Sequence, residues 1–116
     1  MSIQRHGAGA RMSEVSAFNG VLYLAGQVPR KTRGQDIREQ TKEVLALIDG
    51  LLAQTGSDRS RLLFCQIFLR DMEQFAGMNE AWDAWVAPGQ APGRATVQAA
   101  LASPGCDIEI IATAAA

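Results

Sequence analysis

One histidine, two cysteines and no long apolar run are what this chain has least of, and each scarcity removes a class of protein. His6 stands alone near one end of the sequence with no carboxylate or nucleophile partner beside it, so a histidine-driven catalytic triad has no visible basis. Cys65 and Cys106 lie far apart inside apolar segments, with no His or Cys at metal-ligand spacing, and read as reduced thiols of the core. No apolar stretch approaches the roughly 20 residues that span a bilayer, and the polar start Ser2-Ile3-Gln4-Arg5-His6 has no signal-peptide core. A cytoplasmic protein that does not touch the membrane is expected. An excess of charge of one sign is missing too: 11 Lys+Arg stand against 12 Asp+Glu, for a formal net charge of -1. The basic residues are scattered, and only Arg30-Lys31-Thr32-Arg33 is locally positive, which reads as a solvated loop rather than a nucleic-acid stripe. Gly7, Gly9, Gly20, Gly26 and Gly34 form neither a phosphate loop nor a dinucleotide fingerprint, and no nucleophile elbow occurs, so neither a metal nor an organic cofactor is expected.

What remains is an ordinary globular composition, 47% hydrophobic and 20% charged over 116 residues. That length suits one domain over residues 1–116, burying roughly two-thirds of the surface the unfolded chain exposes. Two β-prone runs, 14–17 and 21–25, are joined by Phe18-Asn19-Gly20, and Asn-Gly readily takes the positive φ of a tight hairpin turn. After Gly26-Gln27-Val28-Pro29 and a polar loop, Asp36 with Glu39 three residues on opens a helix that Gly56 ends. Ile37, Val44, Ile48, Leu51 and Leu52 recur along it at helical spacing, while Arg38, Glu39, Lys42, Glu43 and Asp49 fall mostly elsewhere around its axis.

Residues 61–69 are apolar at both parities, the pattern of a strand covered on both faces. A second helix, capped by Asp71 with Gln74 at the third position, carries Met72, Phe75, Met78 or Asn79, Trp82, and Trp85 or Val86 as a core stripe. Pro88-Gly89-Gln90-Ala91-Pro92-Gly93 breaks it, and two last strands, 95–100 and 107–114, are joined through Ser103-Pro104-Gly105. The expected order is β-β-α-β-α-β-β, an α+β fold with one mixed sheet and two helices on a single face. Because two helices cover only one side while the strand at 61–69 is apolar on both, the open face should meet another copy of the chain.

Residues suited to chemistry are few. Arg94 opens a strand after a Pro-Gly loop, and Glu109 interrupts the apolar run Ile108-Glu109-Ile110-Ile111. From spacing alone the two could equally be a loop arginine and a glutamate facing solvent.

The segments Gly26-Gln27-Val28-Pro29, Ala91-Pro92-Gly93-Arg94-Ala95-Thr96-Val97-Gln98 and Asp107-Ile108-Glu109-Ile110 resemble the signature regions of the RidA/YjgF reactive-intermediate deaminase family, as does the order of elements between them. The resemblance implies a chorismate-mutase-like fold, a homotrimer around a central β-barrel, and ligand clefts between neighbouring subunits. It further implies hydrolytic deamination of small 2-imino or enamine acids to 2-oxo acids and ammonia. Arg94 would clamp the substrate carboxylate and Glu109 would position a water, with Thr96, Met12, Ala25, Gly26 and Asn79 lining the site. Ala25 stands where the family usually has a small hydroxyl residue, Thr96 where a cysteine is common, and Met12 in the region of a pocket tyrosine. The alternatives to a deaminase are a trimer that binds small carboxylates without turnover and an endoribonuclease or translation inhibitor, the last disfavoured by the acidic balance.

Overall fold

The computed structural model describes residues 2–116. Its sheet begins with a short edge strand that sequence pattern did not announce: β1 (Gln4–His6) is exposed and polar, and it forms by pairing antiparallel with β2 (Val15–Phe18). The order is therefore β-β-β-α-β-α-β-β, one strand more than expected, because main-chain pairing to an existing edge needs no apolar periodicity. β2 turns into β3 (Val21–Leu24) through Asn19 at φ 55 and Gly20 at φ 79, the positive pair of a two-residue hairpin.

Helix α1 (Ile37–Gln54) is capped by Asp36, whose carboxylate accepts the Arg38 N–H, and it buries Ile37, Gln40, Thr41, Val44, Leu45, Ile48 and Leu52. Glu39 pairs with Lys42 instead of returning to the cap, so the anticipated capping box is half formed. Strand β4 (Leu62–Leu69) follows. Asp71 caps a 3-10 turn over Met72–Gln74, and the second helix, α2, runs only over Phe75–Trp85. That corrects the expected helix start at Asp71: the first turn is wound tighter than α. Strand β5 (Gly93–Gln98) starts two residues earlier than its apolar pattern suggested, and β6 (Ile108–Ala115) closes the chain.

The six strands lie in the order β1-β2-β3-β6-β4-β5; β4 and β5 are parallel and the other neighbours antiparallel. Because α2 is the crossover between parallel β4 and β5, it must lie across that end of the sheet. Both helices pack on one face over Leu22, Leu24, Cys65, Ile67, Leu69, Ile108, Ile110 and Ala112. Each fully buried large aliphatic side chain there stabilises the fold by ~1.5–3 kcal/mol. The helices approach closely at Gly77, where a Cβ would stand 2.6 Å from Cγ2 of Ile37.

In the single chain the other face is open. Phe18, Tyr23, Phe64, Val97 and Ile111 are exposed upon it, so β4 is covered on one side only and its second apolar parity faces outward. No helix among the described residues is long and apolar enough to cross a membrane.

Candidate functional site at the β5 edge

Arg94 pairs with Cys65 across β4 and β5, which turns its side chain toward the helices. Phe75, Asn79 and Trp82 recur at i, i+4 and i+7 on α2 and so present one stripe to that strand. All three meet the same guanidinium. Its carbon lies 5.1 Å from the Trp82 ring centroid and 5.8 Å from that of Phe75, and its Nη1 donates to Asn79 Oδ1 at 2.8 Å. The cation is half-buried, and every group holding it is neutral.

Arg38, Arg59 and Arg70 each pair with a carboxylate, whereas Arg94 pairs with none among the described residues, and its Nε and Nη2 donate to no protein acceptor. Those two nitrogens form the fork that matches a carboxylate with parallel hydrogen bonds. Beside them runs an uncovered strand edge. Ala99 N–H donates to Leu69 O, and the alternation of a parallel ladder then turns the Thr96 N–H away from β4 and outward. Cys65, beneath Arg94, is fully buried; that burial pushes its thiol up to about 12 despite the neighbouring guanidinium, so it is not a nucleophile.

Glu109 occupies the other side of the sheet. Ile108 and Ile110 point into the core, and Glu109, opposite Phe68, points to the open face. Gln27 and Ile110 exchange both backbone hydrogen bonds, which lays Gly26 against the Glu109 side chain. A Cβ at position 26 would overlap the carboxylate. Glu109 is half-buried and accepts no hydrogen bond from the described residues. Ala25 lies just before this crossing, its N–H donating to Glu14 O. Met12 is exposed on the loop ahead of β2, with Gly7, Gly9, Ala10 and Arg11 around an open cavity.

One chain thus gathers the expected residues into two groups, Arg94, Thr96 and Asn79 toward the helices at the β5 edge, and Glu109, Gly26 and Ala25 on the open face. Two strand spacings and three residues of offset separate the Cα atoms of Arg94 and Glu109, roughly 14 Å, with the sheet between their side chains. A single copy does not bring them into one pocket. Phe75 and Trp82 fit the core stripe that the sequence pattern predicts and also hold Arg94; the sequence signal for this second role is a polar Asn79 set within the Phe75–Trp82 stripe. No cluster of His, Cys, Asp and Glu capable of holding a metal occurs among the described residues.

Fold and site define the class as a small α+β protein with two helices on one face of a mixed six-stranded sheet and, at its edge, a guanidinium without a carboxylate partner among the described residues. The chain belongs to the RidA/YjgF family: residues 2–116 match the family model described as Endoribonuclease L-PSP. It is 54% identical over 111 residues to a RutC family protein of Haemophilus influenzae, covering 96% of each chain. Against the RutC family protein YoaB of Escherichia coli K12 it is 48% identical over 115 residues, 99% of each. The crystal structure of a YjgF family member from Neisseria meningitidis superposes with a TM-score of 0.95 at 46% identity, over 99% of this chain and 95% of that one.

Proposed function

We propose that the protein hydrolyses reactive 2-imino acids to 2-oxo acids and ammonia, in clefts formed where the β5 edge of one copy meets the open face of the next within a trimer. The observation that carries this reading is Arg94: a half-buried cation, held by an amide and two aromatic rings, that keeps its whole charge and its Nε–Nη2 fork for an outside anion. A 2-imino acid offers a carboxylate to that fork next to an electrophilic C=N carbon, so fixing one end orients the other. Thr96 N–H, directed out from the strand edge, supplies a further donor for the carboxylate or for charge developing during attack.

Glu109 of a neighbouring copy then takes a proton from the attacking water. The water oxygen bonds to the imine carbon while Glu109 passes the water's proton to the imine nitrogen, giving the aminol; the aminol hydroxyl proton then moves through Glu109 to the amino nitrogen, and the C–N bond breaks to leave C=O and ammonia. Assembly brings the two groups together and also covers Tyr23, Phe64, Val97 and Ile111, an apolar surface that a solitary chain exposes.

The test is ammonia release from 2-iminopropionate or 2-iminobutyrate generated in situ. Wild-type protein should accelerate it, Arg94→Ala should abolish the acceleration with the oligomer intact, and no acceleration beside an active control deaminase ends the enzymatic reading. Binding without turnover is a second reading, favoured by the completeness of the Arg94 group within one chain; calorimetric binding of 2-oxobutyrate with no ammonia release selects it. Ribonuclease action, the activity in the family model's description, meets an electrostatic obstacle: residues 71–85 beside Arg94 hold no base, and while Glu80 is paired with Arg38, Asp71, Glu73 and Asp83 add negative charge that repels phosphates.

A further inference from the structure

The stripe that holds Arg94 continues past it. In a 3-10 turn side chains at i and i+3 eclipse, so Met72 stands in line with Phe75. Gln98 Oε1 accepts the Met72 N–H and ties this turn to β5, on the strand face that already carries Arg94 and Thr96. Unlike Trp82, which is buried, Phe75 is 38% and Met72 37% exposed. An apolar shelf of two residues therefore extends from the guanidinium along the β5 edge. Met72 is flanked by Asp71 and Glu73, residues 71–85 hold no Lys or Arg, and the preceding Arg70 is engaged by Asp107.

We propose that this shelf receives the side chain of the ligand whose carboxylate Arg94 holds, making the site selective for 2-oxo and 2-imino acids with uncharged apolar side chains of isobutyl or benzyl size. The proposal rests on the reading of Arg94 as the carboxylate anchor. With the carboxylate fixed on the Nε–Nη2 fork, a longer apolar side chain gains contact with Phe75 and Met72, and each methylene buried is worth about fourfold in affinity. A ligand ending in a second carboxylate finds no cation on the shelf, with Asp71 and Glu73 flanking Met72 in the chain, and must strip water from a charge that nothing repairs.

Calorimetric titration of the intact oligomer with 4-methyl-2-oxopentanoate, 2-oxobutyrate and 2-oxoglutarate tests this. The expected result is about tenfold tighter binding of 4-methyl-2-oxopentanoate than of 2-oxobutyrate, with 2-oxoglutarate weakest. Phe75→Ala should collapse the first ratio toward one, while Phe75→Leu, which keeps an apolar surface, should retain most of it. Equal affinity for the three acids, or a preference for the branched acid that survives Phe75→Ala, overturns the shelf while leaving the anchor standing. Binding of none of the three, or binding unaltered in Arg94→Ala, removes the anchor itself and the shelf with it.

Discussion

Glu109 rests its carboxylate over Gly26, in the space that any side chain at position 26 would occupy. The backbone of Gly26 is not in the left-handed region, so alanine can adopt its conformation, and the clash falls on the movable glutamate. Gly26→Ala should therefore displace Glu109 with little loss of stability. Turnover of an imino acid is expected to fall ~10²-fold, as when a base is misplaced by about an ångström, while 2-oxo acid binding at Arg94 persists. Kinetics of ammonia release alongside a thermal melt check this; full activity in the variant would remove Glu109 from the reaction.

The hairpin at Asn19-Gly20, the amphipathic α1 and the doubly apolar parity of β4 were legible because each is a local pattern with a local cause. The strand β1 was not, since Gln4–His6 is polar and takes its structure from its neighbour. Arg94 and Glu109 stood out as charges in apolar strands, but the face each uses depends on strand register, and register is a tertiary property. The signature around Arg94 could therefore name the residue without saying that α2 would hold it, or that Glu109 would point the other way.

Asn79 holds Arg94 through a neutral oxygen, and the neutrality matters. Asn79→Asp would place a carboxylate against Nη1 and neutralise the cation from within, whereas Asn79→Ala removes one hydrogen bond and leaves the charge free. Binding of a 2-oxo acid should weaken more in the aspartate variant than in the alanine variant, by roughly tenfold or more given the strength of charge-assisted pairs. Calorimetry on both variants decides; the reverse order would mean that Asn79 serves the ligand directly.

Both thiols should be silent in the native protein. Cys65 and Cys106 are fully buried, Cys106 Sγ donates to Pro29 O, and the Cys65 thiol is pushed up to about 12 by burial. Since the thiolate is the reactive form, a disulfide reagent at pH 8 should label neither cysteine until denaturant is added, and then both. Rapid labelling of the folded protein would show that the β4 or β6 region opens on the time scale of the assay.

Glu43 fastens the loop that follows the Gly26 crossing onto α1. Its carboxylate accepts from the N–H groups of Arg30, Lys31 and Thr32 and, at 2.7 Å, from the Thr32 hydroxyl. Burial alone would raise its pKa, but the Thr32 hydroxyl and the three N–H donors outweigh it and hold the group at about 2, below its ordinary 4.5. A folded-state pKa below the unfolded one means that the stabilisation is complete above pH 4.5 and disappears as pH falls toward 2. Glu43→Gln keeps an acceptor but loses the charge, which should cost on the order of 1 kcal/mol at pH 7, or about 4 °C in Tm. The gap between wild type and variant should narrow through the acid range and close near pH 2. A gap that stays constant from pH 7 to pH 2 would mean that the loop is held by its shape and not by the carboxylate charge.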